Sequence, residues 1–131
     1  MIVVPDTNIL VSAIFWNGPS ARLVAELIRK KHTICSSPEL LGELRRVLKR
    51  DFDLTESQVE EKIAKIRAFV GLVAPQNRVK IVIQDPDDDK VLECALECGA
   101  AFVVSKDKHL LMLKSVRGIG ILSPEELLEK L

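Results

Sequence analysis

At 131 residues the chain has the length of one domain with one core, and residues 1–131 are read as a single domain. An apolar fraction of 47% beside 29% charged residues excludes a disordered chain, and no apolar run approaches the ~20 residues that cross a bilayer. The formal net charge is zero. That excludes a protein coating nucleic acid by bulk charge, while leaving room for a local basic patch. Cys35, Cys94 and Cys98 lie in apolar segments and are odd in number, as expected of reduced core thiols. No other Cys or His stands at a spacing that would complete a zinc site. "MIVVPDTN" lacks the basic flank and the apolar length of a secretory signal. A cytoplasmic protein follows as the expectation.

The elements read in order. "IVV" (2–4) is a short β-branched run ended by Pro5, a buried strand followed by an Asp-Thr-Asn loop. After "NGPS", Ser20 is placed to cap a helix whose Leu23, Val24, Leu27 and Ile28 share a face. "HTICSS" (32–37) is a second strand, and "SPEL" opens a helix with Ser37 at the cap and Pro38 at the first position. In "TESQVEEKIAKIRAFV", Thr55 and Gln58 form a capping box, and Val59, Ile63, Ile66 and Val70 follow at helical spacing. "RVKIVI" (78–83) alternates like a strand. The next helix runs from an aspartate cluster to Gly99, before a strand "AFVVS" and a short helix in "KDKHLLMLKS". "IGIL" (119–122) is the last strand, and Ser123, Pro124 and Glu126 start the closing helix with a second capping box.

Short apolar strands alternating with amphipathic helices predict an α/β fold, a three-layer sandwich around a Rossmann-like central parallel sheet. Ligands bind such sheets at the carboxyl ends of the strands. Acids stand there repeatedly: Asp6 after the first strand, Asp107 after "FVVSK", and Asp85, Asp87, Asp88 and Asp89 before the helix ending at Gly99. On a 100° wheel Asp88 points near the centre of the face made by Val91, Leu92, Cys94, Ala95 and Cys98; Asp87 lies at one edge and Asp89 beyond the other. Glu43 borders the apolar face of its helix, where a solvated flank residue is the simpler reading if it is taken alone. Caps and favourable helix-dipole charges account for one or two of these aspartates. They do not account for an acid turned inward, nor for two further strand ends carrying acids to the same edge. The set reads as a cation site, with hard oxygen donors that select Mg²⁺ or Mn²⁺. Asn8 and Ser105 are polar neighbours suited either to orienting a ligand or to plain turn chemistry.

In these residues the chain resembles the PIN-domain nucleases of the VapC-like toxin type. "VPDTNILVSA", "SPELLGEL", "DPDDDKVLECALECGA", "VVSKDKHLL" and "GIGILSPEELL" carry the resemblance in order along essentially the whole chain. It implies a Mg²⁺- or Mn²⁺-dependent endoribonuclease, the toxin of a toxin–antitoxin pair. Asp6, Glu43, Asp88 and Asp107 would be its catalytic and metal-holding acids, with Asp87 and Asp85 as alternates and Asn8 and Ser105 as accessory residues. It also implies a homodimer and a cognate antitoxin that blocks the site. Two basic sets are candidates for RNA contact: Arg45, Arg46 and Lys49 beside Glu43, and Lys106 and Lys108 beside Asp107. Two other readings compete. A receiver-type phosphoacceptor domain would need paired acids after the first strand and an aspartate at a middle strand end, where "TICSSPEL" has serines. A PIN-like module without catalysis would serve only to bind.

Overall fold

Alternation along three β-branched strands sets the architecture. A computed structural model describes residues 1–74 and 86–131, the side chains of residues 86–88 excepted. The described strands are β1 (Ile2–Pro5), β2 (Thr33–Ser36), β3 (Val70–Leu72), β4 (Phe102–Val104), β5 (Ser115–Val116) and β6 (Ile119–Leu122). They form one sheet in the order β3-β2-β1-β4-β6-β5. Every described pairing is parallel except β5 with β6, which is antiparallel. The helices are α1 (Thr7–Phe15), α2 (Pro19–Arg29), α3 (Pro38–Phe52), α4 (Glu56–Arg67), α5 (Pro86–Cys98), α6 (Lys108–Leu111) and α7 (Pro124–Lys130).

Successive strand residues point to opposite faces, so neighbours feed different cores. Val3, Ile34 and Val104 pack with Ile9 of α1, Leu23 and Leu27 of α2 and Leu127 of α7. Val4, Cys35 and Val103 pack with Val91, Leu92 and Ala95 of α5. Burial on both faces explains why these strands are apolar throughout rather than alternating with polar residues. A third cluster joins Leu10 of α1 to Leu41, Leu44 and Leu48 of α3 and Val59 and Ile63 of α4. The three-layer α/β sandwich is the observed fold.

Local capping chemistry holds at three of the expected helix starts. The Ser37 hydroxyl accepts from the Leu40 amide, and both capping boxes, Thr55 with Gln58 and Ser123 with Glu126, are closed. Elsewhere the chain departs from its sequence reading. The segment after Asp6 is helix α1 rather than a loop, with Asp6 as its cap. Ser20 does not cap α2: Gly18 does, because Pro19 takes the first helical position, and Ser20 is buried inside the helix. Val70 leaves the helical repeat, since α4 ends at Arg67 and Val70 pairs with Ile34 as β3. The two-residue strand β5 has no counterpart in the reading above. The expected strand at 78–83 lies outside the described residues, as does Asp85. Cys35, Cys94 and Cys98 are free thiols in or beside the core, as expected.

Candidate active site at the switch point of the sheet

The chain leaves β1 for β2 and β3 on one side, then crosses to β4 and β6 on the other. The carboxyl ends of β1 and β4 therefore flank the crevice that this topology opens. Asp6 follows β1, and Ser105 and Asp107 follow β4, so chain order alone carries all three to that crevice. The ladder continues one step past the strands: the Asp6 amide donates to the Val104 carbonyl at 3.0 Å, and the Ser105 amide to the Leu122 carbonyl at 3.0 Å.

Asp6 is 7% exposed. Its Oδ1 accepts from the Ile9 amide at 3.0 Å, capping α1, and its Oδ2 accepts from the Ser105 hydroxyl. The same Ser105 oxygen accepts from the Asp107 amide at 2.9 Å, and Asp107 Oδ1 accepts from the His109 amide at 2.7 Å, capping α6. One fully buried serine thus links the two acids. Burial raises the Asp6 carboxyl above its ordinary value of 3.8; the Ser105 hydroxyl and the Ile9 amide pull it down, the Asp107 charge raises it again, and the Asn8 amide adds a small downward pull. A buried carboxylate in the field of another carboxylate is a place where a cation is stabilising.

The other predicted residues fall into place unevenly. Glu43 is half-buried on α3, with its Oε2 shielded from solvent. Its charge also contributes, after the Asp51 hydrogen bond and charge, to raising the Arg50 guanidinium. Asn8 is exposed one residue into α1 beyond Thr7. Asp87 and Asp88 belong to the first turn of α5, but their side chains are outside the described residues. Asp89, placed by the wheel at the outer edge, is instead buried, at 9% exposure. Glu93, one turn further along the same side, is 6% exposed. The sheet encloses α5 on one flank and α3 on another, so the helix has little solvent side. The sequence carried a signal for Glu93, an acid between Leu92 and Cys94 in an otherwise apolar turn.

Among the described residues, no group of three His, Cys, Asp or Glu side chains comes together as a ligand set. Of the three predicted acids whose side chains are described, Asp6 and Asp107 come to one edge, while the side chain of Asp88 lies outside the described residues. The donors there are carboxylate and hydroxyl oxygens, which fit a hard divalent cation rather than zinc.

The two basic sets differ sharply. On α3, Arg45 pairs with Glu60 at 2.9 Å, Lys49 pairs with Glu56, and Arg50 pairs with Asp51 at 2.7 Å. Lys106 and Lys108 are exposed and make no ion pair among the described residues. No described helix is long and apolar enough to cross a membrane.

The profile of the family described as PIN domain matches residues 2–109. No curated protein matches the chain's sequence. Among solved structures, VapBC2 from Rickettsia felis bound to a DNA fragment from their promoter is similar, with a TM-score of 0.68. The similarity covers 92% of this chain and 97% of that one at 19% identity, a likeness of fold. Over most of its length, from β1 through the acid pair at the switch point to α6, the chain belongs to the PIN-domain family.

Proposed function

We propose that the protein is a Mg²⁺- or Mn²⁺-dependent endoribonuclease acting as the toxin of a toxin–antitoxin pair. The observation that carries this reading is the buried Asp6 carboxylate, tied through Ser105 to Asp107 at the switch point. Asp6 and Asp107 would hold the metal, with Glu43 and Asp88 joining directly or through water, and Asp87 or Asp85 as substitutes for Asp88. A bound divalent ion supplies a hydroxide at neutral pH and offsets charge on the phosphoryl group in flight. The protein's part is positioning. The Ile9 amide and the Ser105 hydroxyl fix both oxygens of Asp6, and the Asp107 backbone is held by the same serine. Asn8, exposed in the first turn of α1, would orient a water or a substrate oxygen. Preorganised groups of this kind need no rearrangement when charge develops.

Membership of the family supports nuclease chemistry, and the similar Rickettsia felis structure is of VapBC2 bound to a DNA fragment from their promoter. An antitoxin-type partner would find apolar surface in a cleft of about 340 Å³ between α1, α2 and α4, lined by Ile14, Val24, Ala25, Ile28 and Phe69 with Lys62 and Lys65 beside them. We place the protein in the cytoplasm as a homodimer. The phosphoacceptor reading loses its acceptor: β2 ends in Ser36, which is fully buried, and Ser37, whose hydroxyl caps α3.

The test incubates purified protein with a structured RNA panel in Mn²⁺ or in EDTA, beside Asp6→Asn and Asp88→Asn. Cleavage that requires Mn²⁺ and is lost in both variants is the expected result. Cleavage that persists in EDTA, or survives both substitutions, overturns the mechanism.

A further inference from the structure

Segment 106–117, which joins β4 to the end of β5, holds Lys106, Lys108, Lys114 and Arg117 against a single carboxylate, Asp107. The whole chain has a formal net charge of zero, so the rest of the molecule is acidic by the surplus this segment carries. All four cations are exposed, and none has an ion-pair partner among the described residues. On α3, by contrast, three of the four basic residues Arg45, Arg46, Lys49 and Arg50 already face a carboxylate, and among the described residues only Arg46 does not. A polyanion approaching this surface meets uncompensated positive charge on one side of Asp107 and neutralised charge on α3.

The backbone ties the segment to the acid pair. Lys106 and Lys108 bracket Asp107. The Lys114 carbonyl accepts from the Ile121 amide at 2.9 Å, one residue before Leu122, whose carbonyl takes the Ser105 amide. Lys114 therefore sits at the same sheet edge as Ser105. From there β5, the edge strand, carries the track to Arg117 at the β5–β6 turn. Met112, 77% exposed, and Leu113 lie between the cations and offer apolar surface for an unpaired base.

We propose that residues 106–117 form the phosphate-binding track for a single-stranded RNA, leading along β5 to the acid pair, and that α3 is not that track. The assignment rests on the ribonuclease reading for its substrate, but it is tested by binding alone. An end-labelled single-stranded RNA is titrated with protein in EDTA, where no metal-dependent cleavage occurs, over a range of salt. Lys114 and Arg117 have positive φ, 61° and 49°, so asparagine, which tolerates that region, replaces each with the least backbone strain. Each phosphate contact on a single strand contributes about −0.7 to the slope of log K against log salt. Lys114→Asn and Arg117→Asn should each make the slope shallower by about that amount, and weaken binding roughly eight-fold near 50 mM salt by the same relation. A double Arg45→Gln, Lys49→Gln variant should bind as the parent does.

Several results would overturn the track. One is an unchanged slope in the Lys114 and Arg117 variants, and another is an equal loss in the α3 variant. Absence of any salt-sensitive binding by the parent would do so as well. So would variants that only self-associate more, since cations on an edge strand also discourage edge-to-edge pairing. Metal-dependent cleavage with unaltered binding in the track variants would remove this proposal and leave the ribonuclease reading standing. Loss of cleavage chemistry with intact salt-dependent binding would do the reverse.

Discussion

Replacing Ser105 by alanine tests whether one hydroxyl organises the acid pair. Ser105 is fully buried; it donates to Asp6 Oδ2 and accepts from the Asp107 amide at 2.9 Å. A hydrogen bond to a charged group contributes about 1.5–3 kcal/mol, and one between neutral groups about 0.5–1.5 kcal/mol. Removal of both should cost about 2–4 kcal/mol near neutral pH. With an unfolding entropy near 2.1 cal/mol/K per residue, that lowers the melting temperature of a chain this size by roughly 7–15 °C. The bond to Asp6 favours the ionised carboxyl, so its contribution is present above the raised folded pKa of Asp6 and is lost as pH falls through it. The difference between parent and variant should therefore narrow toward the ordinary aspartate value of 3.8. Thermal melts followed by circular dichroism across this range measure it. A fall of under about 2 °C at neutral pH, or a fall that does not change with pH, would refute the linkage.

Three further outcomes follow. Asp6→Asn keeps the cap of α1, since Asn caps as well as Asp, and removes a buried charge; the parent's penalty is absent while Asp6 is protonated and accrues as pH rises from 3.8 through the raised folded value. The melting temperature of metal-free Asp6→Asn relative to the parent should therefore climb toward neutral pH while cleavage is lost, and a gap that shrinks would contradict the desolvation account. Millimolar Mn²⁺ should stabilise the parent, by about 2.7 kcal/mol at a hundred-fold excess over Kd, and should stabilise Asp6→Asn much less; equal shifts in differential scanning calorimetry would mean that Asp6 holds no ion. Gly120→Ala places a Cβ 2.8 Å from the Phe102 ring, an overpacking worth about 1–3 kcal/mol, and a variant as stable as the parent would show that this ring can give way.

What the sequence displayed most clearly was short-range chemistry. Ser37 with Pro38, Thr55 with Gln58, and Ser123 with Glu126 signal helix starts within four residues, and all three hold. Features fixed by distant contacts were hidden. Helix α1 has Thr7, Ile9, Leu10 and Val11 buried in close succession, because α2, α3 and the sheet surround it, and a helix enclosed on most sides shows no amphipathic period. Val70 kept helical spacing with Ile66, yet pairing with Ile34 as an edge strand took it out of α4. Asp89 and Glu93 were obscured in the same way as α1, since a wheel assumes a broad solvent side and α5 shows only a narrow one, at Lys90 and Glu97, among its described side chains. For Asp6 and Asp107 the position at one sheet edge was legible, because it follows from strand order and needs no side-chain packing.

The main rival to a cation site is that these aspartates are caps, and the geometry leaves oxygens that capping does not use. Asp6 and Asp107 do cap α1 and α6, each through Oδ1. A carboxylate has two oxygens and about four acceptor positions, so a cap occupies a fraction of its capacity while fixing its orientation. In Asp6 the second oxygen receives the Ser105 hydroxyl and retains further lone-pair positions. In Asp107 the cap engages Oδ1, and Oδ2 has no hydrogen-bond partner among the described residues. Capping alone would put these acids at the exposed start of a helix, where charge is cheaply solvated. Asp6 instead lies almost wholly buried, with its carboxyl raised chiefly by loss of water and further by the Asp107 charge. A cap has no need of that burial, and a serine or asparagine would serve α1 equally well without it. The surplus cost of a buried aspartate beside a second one is what a divalent cation at the switch point would offset.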